Sequence, residues 1–239
     1  MVNARTNELL EFLPEDEFAL FEPHLELRSL SKDETLWVFS EIPEYVYFPT
    51  GAVVSIICEL DDGFTVETTL VNKKSVVGLS NTEQPSFYTA KVKYPGLAYR
   101  IKLSTFLKLK EECPVFAKNF AGAMFASFRN IHFAAACGKH HLVDQQIVRW
   151  ILTSLDRSES NYVPATHAQI SELLGFRREV ITAALGKLSL QRIIDLSRGQ
   201  LEVLDRKALE LRSCECYWLA QGLKRPASFT ALINSQKHA

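Results

Sequence analysis

"LLGFRREVITAALGKL", residues 173–188, sets a glycine, an aromatic residue and two adjacent arginines ahead of a segment with helical apolar spacing. Ile181, Ala184, Leu185 and Leu188 recur at i, i+3, i+4 and i+7, the buried stripe of a helix that starts near Arg178. That spacing directs Glu179, Thr182, Ala183 and Gly186 to the opposite face. Just upstream, Thr166 and Gln169 have the T-x-x-Q spacing of a capping box, and Ile170, Leu173 and Leu174 follow as the buried stripe of a short helix that Gly175 ends. Two short helices one glycine turn apart make a helix-turn-helix. Any two amphipathic helices joined by glycine imitate this pattern. Here the capping box, Gly175 and the small Ser171 beneath the second helix agree with it. So does "RIIDLSRGQLEVLD" (192–205), read as two strands joined at Ser197, Arg198 and Gly199 to form a wing.

Working back along the chain, "VDQQIVRWILTSLDR" (143–157) places Ile147, Trp150, Ile151 and Leu155 on one stripe of a helix, which the polar "SESNY" closes. Before it, "PVFAKNFAGAMFASFRNIHFAAACGKHHL" (114–142) starts with proline, contains no other, and carries apolar or small residues on every turn. It predicts a long, largely buried helix. Its small residues Ala121, Gly122, Ala123, Ala126 and Ser127 allow close approach of a second helix, so it either pairs across a dimer or packs only on its own domain; apolar spacing cannot say whose surface it covers. The front half reads as strands. "YVYFPTGAVVSIICELDDGFTVETTLV" (45–71) is rich in β-branched and aromatic residues, with turn signals at 49–51 and 61–63, and "SVVGL" and "AKVKYPGLAYRI" continue the pattern to Ile101. Ahead of them "LPEDEFALFEPHL" predicts a short helix starting at Pro14. The sum is an antiparallel barrel or roll of about eight strands.

At 239 residues with 47% hydrophobic and 23% charged positions, the chain has the composition of a folded protein of two ordinary domains. The absence of a long apolar run and of a basic-then-apolar leader in "MVNARTNELLEFLPEDEF" predicts a cytoplasmic protein with no membrane partner. The net charge of −1 is unevenly divided: residues 1–141 hold 14 Lys and Arg against 18 Asp and Glu, and residues 142–239 hold 13 against 10. An acidic front and a mildly basic back fit a binding module joined to a DNA-binding module. Cysteines 58, 113, 137, 214 and 216 are an odd, scattered set, which predicts free thiols. Only Cys214 and Cys216 stand close, and one C-x-C pair supplies two ligands where a structural zinc needs four, so no metal is expected.

Over nearly its whole length the chain resembles the Crp/Fnr family of bacterial transcription regulators. The recognition segment of that family reads G-x-S-R-E-x-V-x-R, and here stands "GFRREVITA" (175–183), followed by "LSRGQLEVLDRKALE" (196–210) like the family's wing and terminal helix. Tyr47, Gly51, Asp62, Gly63 and Gly78 resemble the turn positions of its cyclic-nucleotide-binding-type β-roll, and 114–140 its dimerisation helix. The tail "LRSCECY" (211–217) resembles that of a less characterised branch. The resemblance implies an α+β chain: an N-terminal antiparallel β-roll sensor (1–113), a long dimerisation helix and hinge (114–141), and a C-terminal winged helix-turn-helix (142–239). It implies a homodimer on double-stranded DNA at an inverted-repeat operator, with RNA polymerase a further candidate partner.

Carried residue by residue, Arg178 and Glu179 match the pair that reads a G·C step, where arginine donates bidentately to guanine and a carboxylate accepts from the cytosine amino group. The next family arginine is Ala183 here, so one base contact is lost. Arg177 replaces the usual capping serine and adds a cation suited to phosphate. Thr166, Thr182, Lys187 and Arg198 are expected as positioning contacts. In the sensor, the effector pocket is expected at Gly78, Leu79, Phe87, Tyr88, Ile131 and His132. Cyclic-AMP-binding members follow the glycine matching Gly78 with a glutamate for the ribose, and later place an arginine for the phosphate. Here Leu79 follows, and "QPSFYTA" (84–90) contains no arginine. Burying a cyclic phosphate without a cation or an array of N–H donors is costly, so no cyclic AMP dependence is expected and the effector stays open. No cofactor is expected: an N-terminal iron–sulfur cysteine cluster is missing, and no spacing supports haem at His132, His140, His141 or a cysteine. Nor is an enzyme, because histidines 24, 132, 140, 141, 167 and 238 leave the strand region without a cupin-type metal set, and no nucleophile elbow or phosphate loop occurs. The other reading open to the sequence is a protein-partner-binding module that has lost specific DNA binding.

Overall fold

The structure, a computed structural model, describes residues 3–78 and 84–226. Two compact units emerge: residues up to Ser127 together with Glu172–Gly175, and Phe128–Ser171 together with the residues from Phe176 onward.

The first unit begins with two short helices, α1 (Glu8–Glu11) and α2 (Glu15–Phe21). Seven strands follow: β1 (Glu26–Leu30), β2 (Thr35–Trp37), β3 (Tyr45–Pro49), β4 (Val53–Glu59), β5 (Thr65–Val71), β6 (Thr89–Tyr94) and β7 (Gly96–Lys102). They form two antiparallel sheets, ordered β1-β7-β3 and β2-β6-β4-β5. The period-2 alternation of a strand sorts side chains between two cores. On β3, Val46 and Phe48 join the helical layer with Phe21, Phe106, Phe116 and Phe120, whereas Tyr47 faces the roll interior with Trp37, Ile56, Tyr88 and Val92.

Two expectations are corrected here. Seven strands of the first unit lie among the described residues, and two of them, β1 and β2, precede Tyr45, where no strand was expected. β1 escapes a pattern reading because it is an edge strand with only Leu30 buried; its backbone pairs with β7 from Glu26↔Arg100 to Leu30↔Gly96, and hydrogen bonds leave no hydrophobic signature. In "SVVGL" only Val77, among the described residues, pairs with a strand, as an isolated bridge to Tyr47, and Leu79 lies outside the described residues.

α3 (Leu103–Glu112) leads into α4 (Pro114–His140), 27 residues long. Pro114 has no N–H to leave unsatisfied at the helix start, and the next two N–H groups, of Val115 and Phe116, donate to the Glu17 carboxylate at 2.9 and 2.8 Å. This clamp sets a negative charge at the positive end of the helix dipole. The length and starting residue of the helix are as read, but not its burial. Phe116, Phe120 and Cys137 are buried, whereas Phe125 is 67% and Phe128 64% exposed. Nothing among the described residues covers these two rings, three residues apart on one face.

The second unit holds α5 (Val143–Ser158), β8 (Tyr162–Val163), the start of α6 (His167–Leu174), α7 (Arg178–Leu190), β9 (Ile194–Ser197), β10 (Gln200–Val203), α8 (Arg206–Arg212) and α9 (Glu215–Ala220). As the spacing required, Ile147, Trp150, Ile151 and Leu155 are all buried. β10 lies between β9 and β8, so the wing is three-stranded; "SESNY" hid β8 because so short a strand has no pattern to read. Asp156 of α5 accepts from Arg206, from the Tyr217 hydroxyl at 2.8 Å and from Gln221 at 3.2 Å, fastening α8 and α9 to α5. Burial together with the Asp156 charge pushes the Tyr217 phenol above its ordinary range. No helix of the described residues is long and apolar enough to cross a membrane.

Candidate nucleic-acid interface

The capping box closes as its spacing demands: the Gln169 N–H donates to Thr166 Oγ1 at 3.2 Å, and the Thr166 N–H to Gln169 Oε1 at 2.9 Å. It fixes where α6 starts. Gly175 ends the helix at φ +69, a left-handed conformation that glycine adopts without a Cβ penalty. The Ser171 hydroxyl then donates to the Phe176 carbonyl, tying the turn to the end of α6. Ile170 is fully buried, while Leu173 and Leu174 are only half-buried.

α7 carries its predicted stripe without exception, with Ile181, Ala184, Leu185 and Leu188 all buried. The opposite face is therefore fixed by packing rather than by chance. Arg177 occupies the N-cap with extended backbone and makes no side-chain cap; Arg178 and Glu179 form the first turn, and Arg177, Arg178, Glu179, Thr182 and Ala183 are exposed together. The first-turn N–H groups of such a helix have no intrahelical acceptor, so the end facing outward is positive in its backbone as well as in its arginines. At the far end Lys187 is exposed but engaged, its Nζ 2.9 Å from Asp144 Oδ2 on α5. Arg198, also exposed, sits with Gly199 in the two-residue turn between Ser197 and Gln200, at the tip of the wing.

One further residue joins this face. His167, the first residue of α6, places Nδ1 3.1 Å from Thr182 Oγ1 on α7. Nothing in the sequence marked it, because the contact joins helix positions fifteen residues apart. Thr166 and Thr182 thus both have a protein partner already, and each can reach a phosphate only by sharing its hydroxyl.

The expected effector residues are distributed over both units. Gly78, Phe87 and Tyr88 belong to the first, Ile131 and His132 to the second, and Leu79 lies outside the described residues. Tyr88 is buried inside the roll, its ring centroid 5.7 Å from that of Trp37, while Phe87 is exposed. Ile131 and His132 stand exposed on α4, the His132 ring 6.2 Å from that of Phe128.

Residues 145–212 match the family model of the Crp-like helix-turn-helix domain. Among solved structures, a putative transcriptional regulator of the Crp/Fnr family from Eubacterium rectale is similar at 18% identity and a TM-score of 0.70, over 87% of this chain and 98% of that one. FixK2 from Bradyrhizobium japonicum is similar at 18% identity and TM-score 0.68, over 80% and 98%. The c-di-GMP responsive global regulator CLP of Xanthomonas campestris is similar at 14% and 0.66, over 80% and 99%. No curated protein sequence matches the chain. The protein thus carries a Crp-like helix-turn-helix on the fold of the Crp/Fnr transcription regulators.

Proposed function

We propose that the protein is a sequence-specific DNA-binding transcription regulator that engages an inverted-repeat operator as a homodimer and does so without cyclic AMP. The observation that carries the reading is α7: four buried apolar residues lock its roll angle, so that Arg177, Arg178, Glu179 and Thr182 face outward as one set. Arg178 and Glu179 at the leading end suit a G·C step in the major groove. Arg177, Lys187, Arg198, Thr166 and Thr182 suit phosphates on either side, fixing register without reading bases.

The dimer reading rests on Phe125 and Phe128. Two neighbouring, largely exposed phenylalanines on a long helix are an apolar patch that a second copy of the same helix can cover. Independence from cyclic AMP is supported by the roll interior, where Trp37, Tyr47 and Tyr88 pack ring against ring. The structurally similar CLP protein is described as responsive to a different nucleotide, so a roll of this shape does not dictate cyclic AMP. RNA polymerase would be reached through the DNA-bound dimer.

Selection of bound sequences from a random double-stranded DNA pool with the purified chain tests the proposal. Enrichment of an inverted repeat with half-sites about 34 Å apart is the expected result. Binding that enriches no sequence would favour a partner-binding module instead.

A further inference from the structure

Cys214 and Cys216 offered two metal ligands in the sequence, and folding brings two more to the same place. Cys137 Sγ lies 3.6 Å from Cys214 Sγ, His141 Nδ1 lies 3.6 Å from Cys216 Sγ, and the four ligand atoms are all within 4.8 Å of one another. Ligand bonds of about 2.3 Å to sulfur and about 2.0 Å to nitrogen place the corners of a tetrahedral zinc site about 3.5 to 3.8 Å apart. Only a small inward movement of side chains separates the observed set from that geometry. We propose that Cys137, His141, Cys214 and Cys216 form a structural Cys3His zinc site that fastens the C-terminal end of α4 to the start of α9.

Two elements supply the ligands in pairs. Cys137 and His141 are one helical turn apart, and the His141 N–H still donates to the Cys137 carbonyl at 3.0 Å, so both project from one face. Cys214 is the N-cap of α9 and Cys216 lies in its first turn. His141 Nε2 lies 3.3 Å from Glu215 Oε2; a carboxylate accepting from the far nitrogen fixes the tautomer that leaves Nδ1 free to ligate.

Burial and charge agree. All three cysteines are buried and the His141 side chain is 9% exposed, which leaves no open coordination position for a substrate. Three thiols giving their protons to solvent, with a neutral imidazole, leave a net charge of −1 on the zinc complex. The Arg149 guanidinium stands near Cys137, and its Nε is buried without a hydrogen-bond partner among the described residues. A mononuclear centre fits better than an iron–sulfur cluster, whose thiolates bind separate irons and stand farther apart. Soft thiolates in a tetrahedral set favour zinc over magnesium or calcium.

The test is elemental analysis of the full chain purified under reducing, chelator-free conditions. About one zinc per chain is expected, released to a metallochromic dye when a mercurial blocks the thiols. The same content should persist in Cys58→Ser and fall to background in the double variant Cys214→Ser/Cys216→Ser. Because that variant could unfold, the wild-type chain prepared without metal is also titrated with cobalt(II), and an intense thiolate-to-cobalt absorption band is expected. Metal-free protein that gives no such band, an iron–sulfur chromophore, or a Cys137–Cys214 disulfide in freshly prepared anaerobic protein would each overturn the site.

Discussion

Lys187 on α7 and Asp144 on α5 form an ion pair, Nζ to Oδ2 at 2.9 Å, with both side chains more than half exposed. An exposed pair of this kind contributes little to stability, roughly 0 to 1 kcal/mol, and its lysine exchanges readily onto a phosphate. Lys187→Ala is therefore expected to weaken specific and random DNA alike and to reduce the salt slope by about 1, while Asp144→Ala moves affinity the other way. Filter binding across a salt series measures both. Unchanged slopes in the two variants would remove Lys187 from the interface.

Arg178 is exposed in the first turn of α7 and has no ion-pair partner among the described residues. Arg178→Ala is expected to cost about 1 to 3 kcal/mol on the selected operator and to relax preference at one G·C step in each half-site. Competition between the operator and single-base variants reads this out. Equal losses on operator and random DNA would make Arg178 a phosphate contact only.

A charge placed on the exposed face of α4 should oppose self-association. Phe125→Glu is expected to shift the chain from dimer to monomer in sedimentation at micromolar concentration and to weaken operator binding by about 2 kcal/mol or more. The substituted side chain is solvated in a single chain, so the fold should survive, and circular dichroism checks that. A variant that remains dimeric would place the pairing surface elsewhere.

Calorimetry of nucleotide-free protein against cyclic AMP and cyclic GMP is expected to register no binding at physiological concentration. Trp37, Tyr47 and Tyr88 occupy the roll interior, and residues 84–90 offer no cation to a cyclic phosphate. Micromolar binding accompanied by raised operator affinity would refute the cyclic AMP independence.

Wherever its signal is local, the architecture was legible in the sequence. The capping box at Thr166 and Gln169, the stripe Ile181, Ala184, Leu185 and Leu188, the wing turn at Arg198 and Gly199, and the proline start of α4 each depend on residues within a turn or two of one another. Helical and strand periodicity write such features directly into residue order. Only the tertiary structure could decide the rest, because the partners are far apart in sequence and joined by backbone or single atoms. β1 is held to β7 by ladder hydrogen bonds that leave four of its five residues exposed. Glu17 caps α4 from nearly a hundred residues away. Phe125 and Phe128 looked like core because apolar spacing records that a face is hydrophobic, not whether one chain suffices to cover it. Cys137 and His141 have a helical i, i+4 spacing that was visible, but nothing in residue order places that turn of α4 beside Cys214 and Cys216; the packing of α9 within the second unit does so.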